Sequence, residues 1–207
     1  YLHANTILVM LYYYLLKYRG WRGPAVRNLS TTHVLDKVAE SFGQKCYEVP
    51  VGFKYISAKM QETDAIIGGE SSGGLTVKGH IDGKDGIYAA SLLVEMMAVS
   101  GKKLSEIAED IRKEYGEIHM EERAYRFTAE EKERIHKTLM MDQALPEIPF
   151  EIDHVSYMDG CKVYLKNGRW VSARFSGTEP LLRIFCEMQT EHEAVLLCEL
   201  FETFLGL

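Results

Sequence analysis

The chain has 207 residues, 46% of them hydrophobic and 26% charged, with a formal net charge of -6. That length suits one large domain or two small ones able to bury a real core, and the composition is ordinary for a soluble globular protein. The negative balance argues against a general nucleic-acid binder, which needs a basic face for the phosphate backbone, while leaving room for local anion binding by single arginines.

Taken in order, Asn5 is read as the cap of a helix running to about Arg19 and ended by Gly20. Its Ile7 to Leu16 stretch is apolar on nearly all sides, too short to span a bilayer and without a signal-peptide flank. Ala25 to Leu29 reads as a short strand. Thr31 or Thr32 caps a helix whose stripe is Val34, Leu35, Val38, Ala39 and Phe42. Lys45 to Val49 reads as a strand, Phe53 to Gln61 as a helix, and Ala65 to Ile67 as a strand. Leu75 to His80 follows, and then a helix from Ile87 to Val99 with Asp85 as its cap. Ser105 is read as the cap of a helix over Glu106 to Tyr115.

From Glu117 to Phe127 the pattern is mixed, and the first domain is expected to end there, giving domains 1–125 and 126–207. Thr128 to Glu131 is a capping box opening a helix to about Gln143, and Pro146 and Pro149 mark a connection read as joining the domains. Strands are expected over Phe150 to Met158, Lys162 to Leu165, Arg169 to Phe175 and Leu181 to Met188, with Asp159-Gly160 and Asn167-Gly168 as hairpin turns. Thr190 with Glu193 caps a last helix over Glu191 to Leu205. The expected fold class is a three-layer α/β/α domain with a mixed, largely parallel sheet, followed by a small α+β domain with an antiparallel sheet.

Two stretches carry candidate chemistry. Gly68-Gly69-Glu70-Ser71-Ser72-Gly73-Gly74 follows a short apolar strand, so a carboxylate, a hydroxyl and backbone amides collect at a strand end, where open α/β sheets bind ligands. A carboxylate accepts and a serine both donates and accepts, which suits a sugar. The loops Ser30 to Thr32 and Val51 to Lys54 open on the same sheet edge. A plain Gly/Ser turn accounts for the same residues. Arg174-Phe175-Ser176-Gly177-Thr178-Glu179-Pro180, with Arg183 beyond, gathers guanidinium forks, hydroxyls and a bent backbone, which suit a phosphate dianion. Lys84 lies just ahead of a helix N-terminus, whose dipole disfavours a cation and suits proton transfer; a solvated turn lysine is the equal alternative. Cys46, Cys161, Cys186 and Cys198 show no C-x-x-C pairing, which fits a reducing cytoplasm, and the seven histidines have no metal-ligand spacing. No metal ligated wholly by this chain is expected.

Together these loops resemble the C-terminal half of the α-D-phosphohexomutase family of phosphoglucomutases and phosphomannomutases. Gly69 to Gly73 matches its G-E-x-S-G sugar loop and Arg174 to Pro180 its R-x-S-G-T-E-P phosphate loop. Gly52-Phe53-Lys54 resembles its G-F-K segment, though Val51 stands where the family has threonine. The resemblance implies an α/β/α third domain and a fourth domain with a TATA-box-binding-protein-like sheet. It assigns Glu70, Ser72, Gly73 and Lys54 to the sugar, and Arg174, Ser176, Gly177, Thr178 and, less directly, Arg183 to the phosphate. Lys84 is its acid/base candidate; the histidine of some relatives after the sugar loop is Gly74 here.

For the complete enzyme the resemblance implies exchange between hexose 1-phosphate and hexose 6-phosphate through a phosphoserine, with Mg2+ and a hexose 1,6-bisphosphate activator. The partners it implies are the hexose phosphate and N-terminal domains of the same protein, with no nucleic acid and no membrane. The chain opens without methionine and lacks the family's phosphoserine motif and D-x-D-x-D-R magnesium loop. It is therefore expected to be a fragment, inactive by itself. A non-catalytic sugar-phosphate or anion-binding module is the alternative, and an interaction domain whose loops are only turns is a third.

Overall fold

The computed structural model describes residues 1–207, which divide into two compact units, Tyr1–Glu117 and Ile118–Leu207. In the first unit, α1 (Ala4–Lys17) leads to β1 (Ala25–Asn28), α2 (Val34–Ser41), β2 (Cys46–Val49), α3 (Phe53–Thr63) and β3 (Ile67–Gly69). Then come β4 (Leu75–Val77), α4 (Gly86–Ser100) and α5 (Leu104–Tyr115). The sheet order is β2-β1-β3-β4, with β1 parallel to β2 and β3, and β4 antiparallel to β3. The mixed, largely parallel sheet expected from the alternation of elements is present.

Residues Leu8 to Leu16 of α1 are all buried, as an all-round apolar helix must be to escape water. The glycine pair of β3 shows how tightly the helices close on the sheet. A Cβ on Gly68 would lie 2.4 Å from side-chain atoms of Ile56 and Met60 on α3, whereas one on Gly69 would lie 2.6 Å from Leu8 on α1. Successive strand residues point to opposite faces, so β3 is pinched between α3 on one side and α1 on the other. On the α3 side, Val26, Val49, Ile56, Met60 and Ala65 pack together. Arg27, buried on β1, ties in α2 and β2 by donating to Asp36 at 2.6 Å and to Glu48.

The helix starts differ from expectation at three places. The cap position of α2 is His33, not Thr31 or Thr32, and carries no side-chain cap bond; Thr32 Oγ1 accepts from the Val34 N–H at 3.1 Å from one residue further out. Asn5 lies inside α1, whose cap is His3 through Nδ1; the buried Asn5 Oδ1 instead accepts from the Thr32 backbone N–H at 3.2 Å. Residue Lys103, not Ser105, caps α5, with Glu106 accepting from the Lys103 N–H at 2.7 Å. Asp85 caps α4 by accepting from Ile87 and Tyr88, as the sequence predicts.

The second unit runs β5 (His119–Arg126), α6 (Ala129–His136), a π-helical turn (Lys137–Met141), β6 (Ile152–Ser156), β7 (Cys161–Leu165), β8 (Trp170–Phe175), β9 (Leu181–Met188) and α7 (Glu191–Leu205). Its sheet is antiparallel throughout, in the order β5-β9-β8-β7-β6. One face packs on α6 and α7, with Val163, Val171, Ile184, Leu197 and Phe201 fully buried between them.

Strand β5 is the element the sequence did not announce, and a boundary after residue 125 would cut it. Its whole length pairs with β9, and the two units part between Glu117 and Ile118 instead. The charges that disguised it are used: Arg123 donates to Glu121 at 3.1 Å and to Glu202 of α7 at 2.8 Å. The Pro146 to Pro149 connection lies within the second unit, between the π-helical turn and β6, and does not join the units.

Candidate functional site

In the first unit, the loops after β1, β2 and β3 leave from the carboxyl ends of three parallel strands, the edge at which open α/β sheets bind ligands. Glu70 is 5% exposed, and a carboxylate so placed needs partners. It has two. Oε1 accepts from Asn28 Nδ2 at 3.3 Å, and Oε2 meets the Lys84 ammonium at 2.8 Å.

The loop backbone is closed by Glu70 N–H on the Gly74 carbonyl at 2.9 Å and Gly73 N–H on the Glu70 carbonyl at 3.0 Å, with Gly73 at φ +97°. The Ser71 N–H donates to Thr31 Oγ1 at 3.0 Å. Asn28 Oδ1 in turn accepts from the Ser30 N–H and the Thr31 hydroxyl, a short Asx-type turn that aims the Asn28 amide at Glu70. Asn28 and Asn5 are the residues here that sequence reasoning missed. Asn28 had a signal: an asparagine ending a strand ahead of Ser-Thr-Thr is a turn former.

Lys84 is half exposed, and its Nζ lies 5.4 Å from the centre of the Phe53 ring. It is therefore no free turn lysine. Its stem runs against Gly74, where a Cβ would lie 2.6 Å from Cδ and Cε. The loop carrying it is fastened by His80 Nε2 to Asp85 Oδ2 at 2.8 Å, with the His80 ring stacked on Tyr88. Asp85 is held below the usual carboxylate range by the Tyr88 N–H first and by His80 next. The Ser72 hydroxyl is exposed and bonds no protein group. Lys54 stands apart: it is exposed on the first turn of α3, over the Tyr55 ring at 4.8 Å. Phe53, rather than Lys54, is the member of that segment beside Lys84.

In the second unit, β8 ends in the Arg174 loop and β9 returns through Arg183, with Arg174 and Arg183 paired in register. The loop is pinned at its base by the Ser176 N–H on the Leu181 carbonyl at 2.7 Å. Ser176 Oγ accepts loosely from the N–H groups of Thr178 and Glu179 at 3.4 and 3.3 Å. Gly177, Thr178 and Glu179 are exposed.

Arg174 is buried and donates to both carboxylate oxygens of Asp159, at 3.2 and 3.4 Å. Arg183 donates to Glu122 at 2.8 Å and to Glu179 at 3.0 Å. Burial works against the Arg183 charge, but those two carboxylates outweigh it and raise its pKa. The loop thus brings Arg174, Ser176, Gly177, Thr178 and Arg183 together, with both arginines already on carboxylates.

Magnesium, which the resemblance implies for a complete enzyme, finds no cluster of three His, Cys, Asp or Glu side chains here to hold it. No helix is long and apolar enough to cross a membrane.

Comparison with known proteins agrees with both folds. Residues 3–115 match the model of the phosphoglucomutase/phosphomannomutase alpha/beta/alpha domain III, and residues 120–202 match that of the C-terminal domain of the same family. A phosphoglucomutase/phosphomannomutase of Thermococcus kodakarensis is 32% identical over 175 residues, which is 83% of this chain and 35% of the relative. A phosphoglucosamine mutase of Rubrobacter xylanophilus is 31% identical over 185 residues, covering 89% of this chain and 38% of the relative. Among solved structures, one assigned to a phosphomannomutase of Thermus thermophilus superposes with a TM-score of 0.77 at 28% identity, over 99% of this chain and 41% of that one. The chain thus spans between a third and a half of the length of these relatives.

Proposed function

Because this chain belongs to the phosphoglucomutase/phosphomannomutase family, as its third and fourth domains, we propose that it supplies two grips on a hexose phosphate. The enzyme it serves interconverts hexose 1-phosphate and hexose 6-phosphate. The observation that carries the reading is the Glu70 carboxylate, nearly buried yet met by one amide and one ammonium at the carboxyl ends of three parallel strands. A buried acceptor beside a half-exposed cationic donor matches neighbouring sugar hydroxyls, each of which both donates and accepts.

In this reading Glu70, Ser72 and the Gly73 turn hold ring hydroxyls. Lys84, drawn off Glu70 by the sugar, is placed to move a proton at a reacting hydroxyl, and Lys54 is an outlying contact. Arg174, Ser176, Gly177 and Thr178 hold the phosphate that does not react, with Arg183 joining when the phosphate displaces Glu179. The complete enzyme passes the other phosphate through a phosphoserine and a bisphosphate that turns end for end, so both grips must release and re-form each cycle. This chain carries neither the phosphoserine motif nor the magnesium loop of the family, and by itself transfers no phosphoryl group.

Calorimetric titration of the chain with glucose 1-phosphate, mannose 1-phosphate and glucosamine 1-phosphate tests the reading. Arg174→Ala weakens all three about ten- to a hundredfold, the equivalent of one charge-assisted hydrogen bond of about 1.5 to 3 kcal/mol. Glu70→Gln weakens the sugar phosphates and leaves inorganic phosphate unchanged. An anion-binding module would instead take inorganic phosphate as tightly as a sugar phosphate and be indifferent to Glu70.

A further inference from the structure

The Arg174–Asp159 contact has more structure than a simple ion pair. A guanidinium presents two bidentate edges: a side-on edge of Nε–H with one Nη2–H, and an end-on edge of Nη1–H with the other Nη2–H. Asp159 occupies the side-on edge, accepting from Nε at 3.2 Å and from Nη2 at 3.4 Å. Nη1 bonds no protein group, so the end-on edge is open on a side chain that is only 10% exposed. Arg183 is in the opposite condition. Its Nη1 is on Glu122 and its Nη2 on Glu179, so its end-on edge is taken.

The backbone is built to bring Asp159 to this place. The hairpin turn between β6 and β7 sits so close to β8 that a Cβ on Gly160 would lie 2.5 Å from the Ala173 carbonyl oxygen and 2.6 Å from Arg174 Cβ. Gly160 also has φ +89°, a conformation that favours glycine. Position 160 is therefore closed to other residues on two independent counts, and the turn is pressed against the backbone of Arg174.

We propose that Asp159 is a positioning residue for phosphate recognition. It holds Arg174 by the side-on edge, so that the end-on edge is the one offered to a phosphate dianion at the Ser176 to Thr178 loop. The inference rests on the phosphate reading of that loop. It makes a prediction of unusual sign. By charge alone, removing a carboxylate beside an anion site tightens anion binding. A positioning carboxylate does the reverse, because a released arginine regains rotamer freedom that the ligand must then remove.

The test is titration of the 207-residue chain with inorganic phosphate, read by calorimetry and by the Arg Nε–Hε resonances, for wild type, Asp159→Ala, Asp159→Asn and Arg174→Ala. Asp159→Ala is expected to weaken phosphate about five- to tenfold, from the lost ordering of one long side chain, and Asp159→Asn, which keeps one acceptor, falls between it and wild type. In wild type, phosphate shifts the amides of Ser176 to Thr178 while the Arg174 Nε–Hε resonance stays where it is, a readout that needs no variant and survives any disturbance of the hairpin by alanine. Equal or tighter binding in Asp159→Ala, or loss of the Nε–Hε resonance from its position on adding phosphate, overturns the role of Asp159. If Arg174→Ala binds phosphate as wild type does, or wild type does not bind it, the phosphate reading itself falls and the inference falls with it. Weak binding in Arg174→Ala beside undiminished binding in Asp159→Ala overturns the inference alone.

Discussion

Gly74 and Lys84 compete for one volume, and the competition can be measured. A Cβ at residue 74 would lie 2.6 Å from Lys84 Cδ and Cε and 3.0 Å from Nζ. The obstacle is the far end of a flexible side chain, so Gly74→Ala is expected to fold and to push Lys84 off Glu70. Gly74 has no positive φ, so alanine fits its backbone and gains about 0.4 to 1 kcal/mol by restricting the unfolded chain. Against that stands the pair of Glu70 with Lys84, which contributes about 1 kcal/mol, below the usual charge-assisted range because water reaches the half-exposed lysine. In the wild-type background the two effects nearly cancel or leave a net loss. In a Lys84→Ala background only the gain remains, so the same substitution becomes stabilising. Urea unfolding of the wild type, both single variants and the double variant gives the coupling energy, expected near about 1 kcal/mol. If Gly74→Ala has the same effect in both backgrounds, within about 0.3 kcal/mol, Lys84 does not occupy the volume at residue 74 and its pairing with Glu70 is not what places it.

The remaining predictions concern the two folds. Thr190→Ala removes the side-chain acceptor for the Glu193 N–H at the start of α7 and should cost about 1 kcal/mol by urea unfolding, with Thr190→Ser near wild type. Burial pushes the Cys161 thiol up to about 11 and raises those of Cys46 and Cys186 well above the ordinary range, so the native chain should show no fast thiol in a disulfide-exchange assay at about pH 8, while denaturant releases all four. A native thiol reacting at the rate of a free cysteine would contradict the burial. Acid sensitivity follows from Glu109 and Asp85. Hydrogen bonding to Arg112 holds Glu109 down to about 2, and the Tyr88 N–H and His80 lower Asp85. On acidification the unfolded chain takes these protons first, so the stability they contribute is complete above about pH 5 and disappears as pH falls toward about 2. Urea midpoints should fall through that window, and Glu109→Gln should flatten the fall.

Much of this was legible in the residues because the signals were local. The apolar stripe of α2, the Asp85 cap, and the Thr128 and Thr190 capping boxes are written in residues within a turn or two of helix, and each forms as read. So do the Asp159-Gly160 and Asn167-Gly168 turns, which join antiparallel strands. Strand β5 was hidden because its inward side carries Glu121 and Arg123; the Arg123 guanidinium is met by Glu121 on the same strand and by Glu202, 79 residues away. Asn5 reads as a cap from its neighbours alone; its use as an acceptor for Thr32 depends on how α1 lies on the sheet.

The same distinction applies to the site. The two loops stand out as strings of glycine, hydroxyl and charge, but what holds their charged residues does not. Asn28 meets Glu70 across 42 residues, and Asp159 meets Arg174 across 15. Nothing in either neighbourhood marks the pairing. Lys84 illustrates the middle case: its sequence position admitted an active role and a bland one equally, and its contact with Glu70 is one that its own neighbours do not announce.

The most direct measurement of the central claim is an amide NMR titration of the chain with glucose 1-phosphate, inorganic phosphate and glucose. The account predicts shifts at Arg174 to Thr178 with phosphate, and shifts extending to Glu70, Ser72 and Lys84 with glucose 1-phosphate alone. Shifts that leave both loops untouched in all three titrations, or that place glucose 1-phosphate elsewhere on the chain, would contradict it.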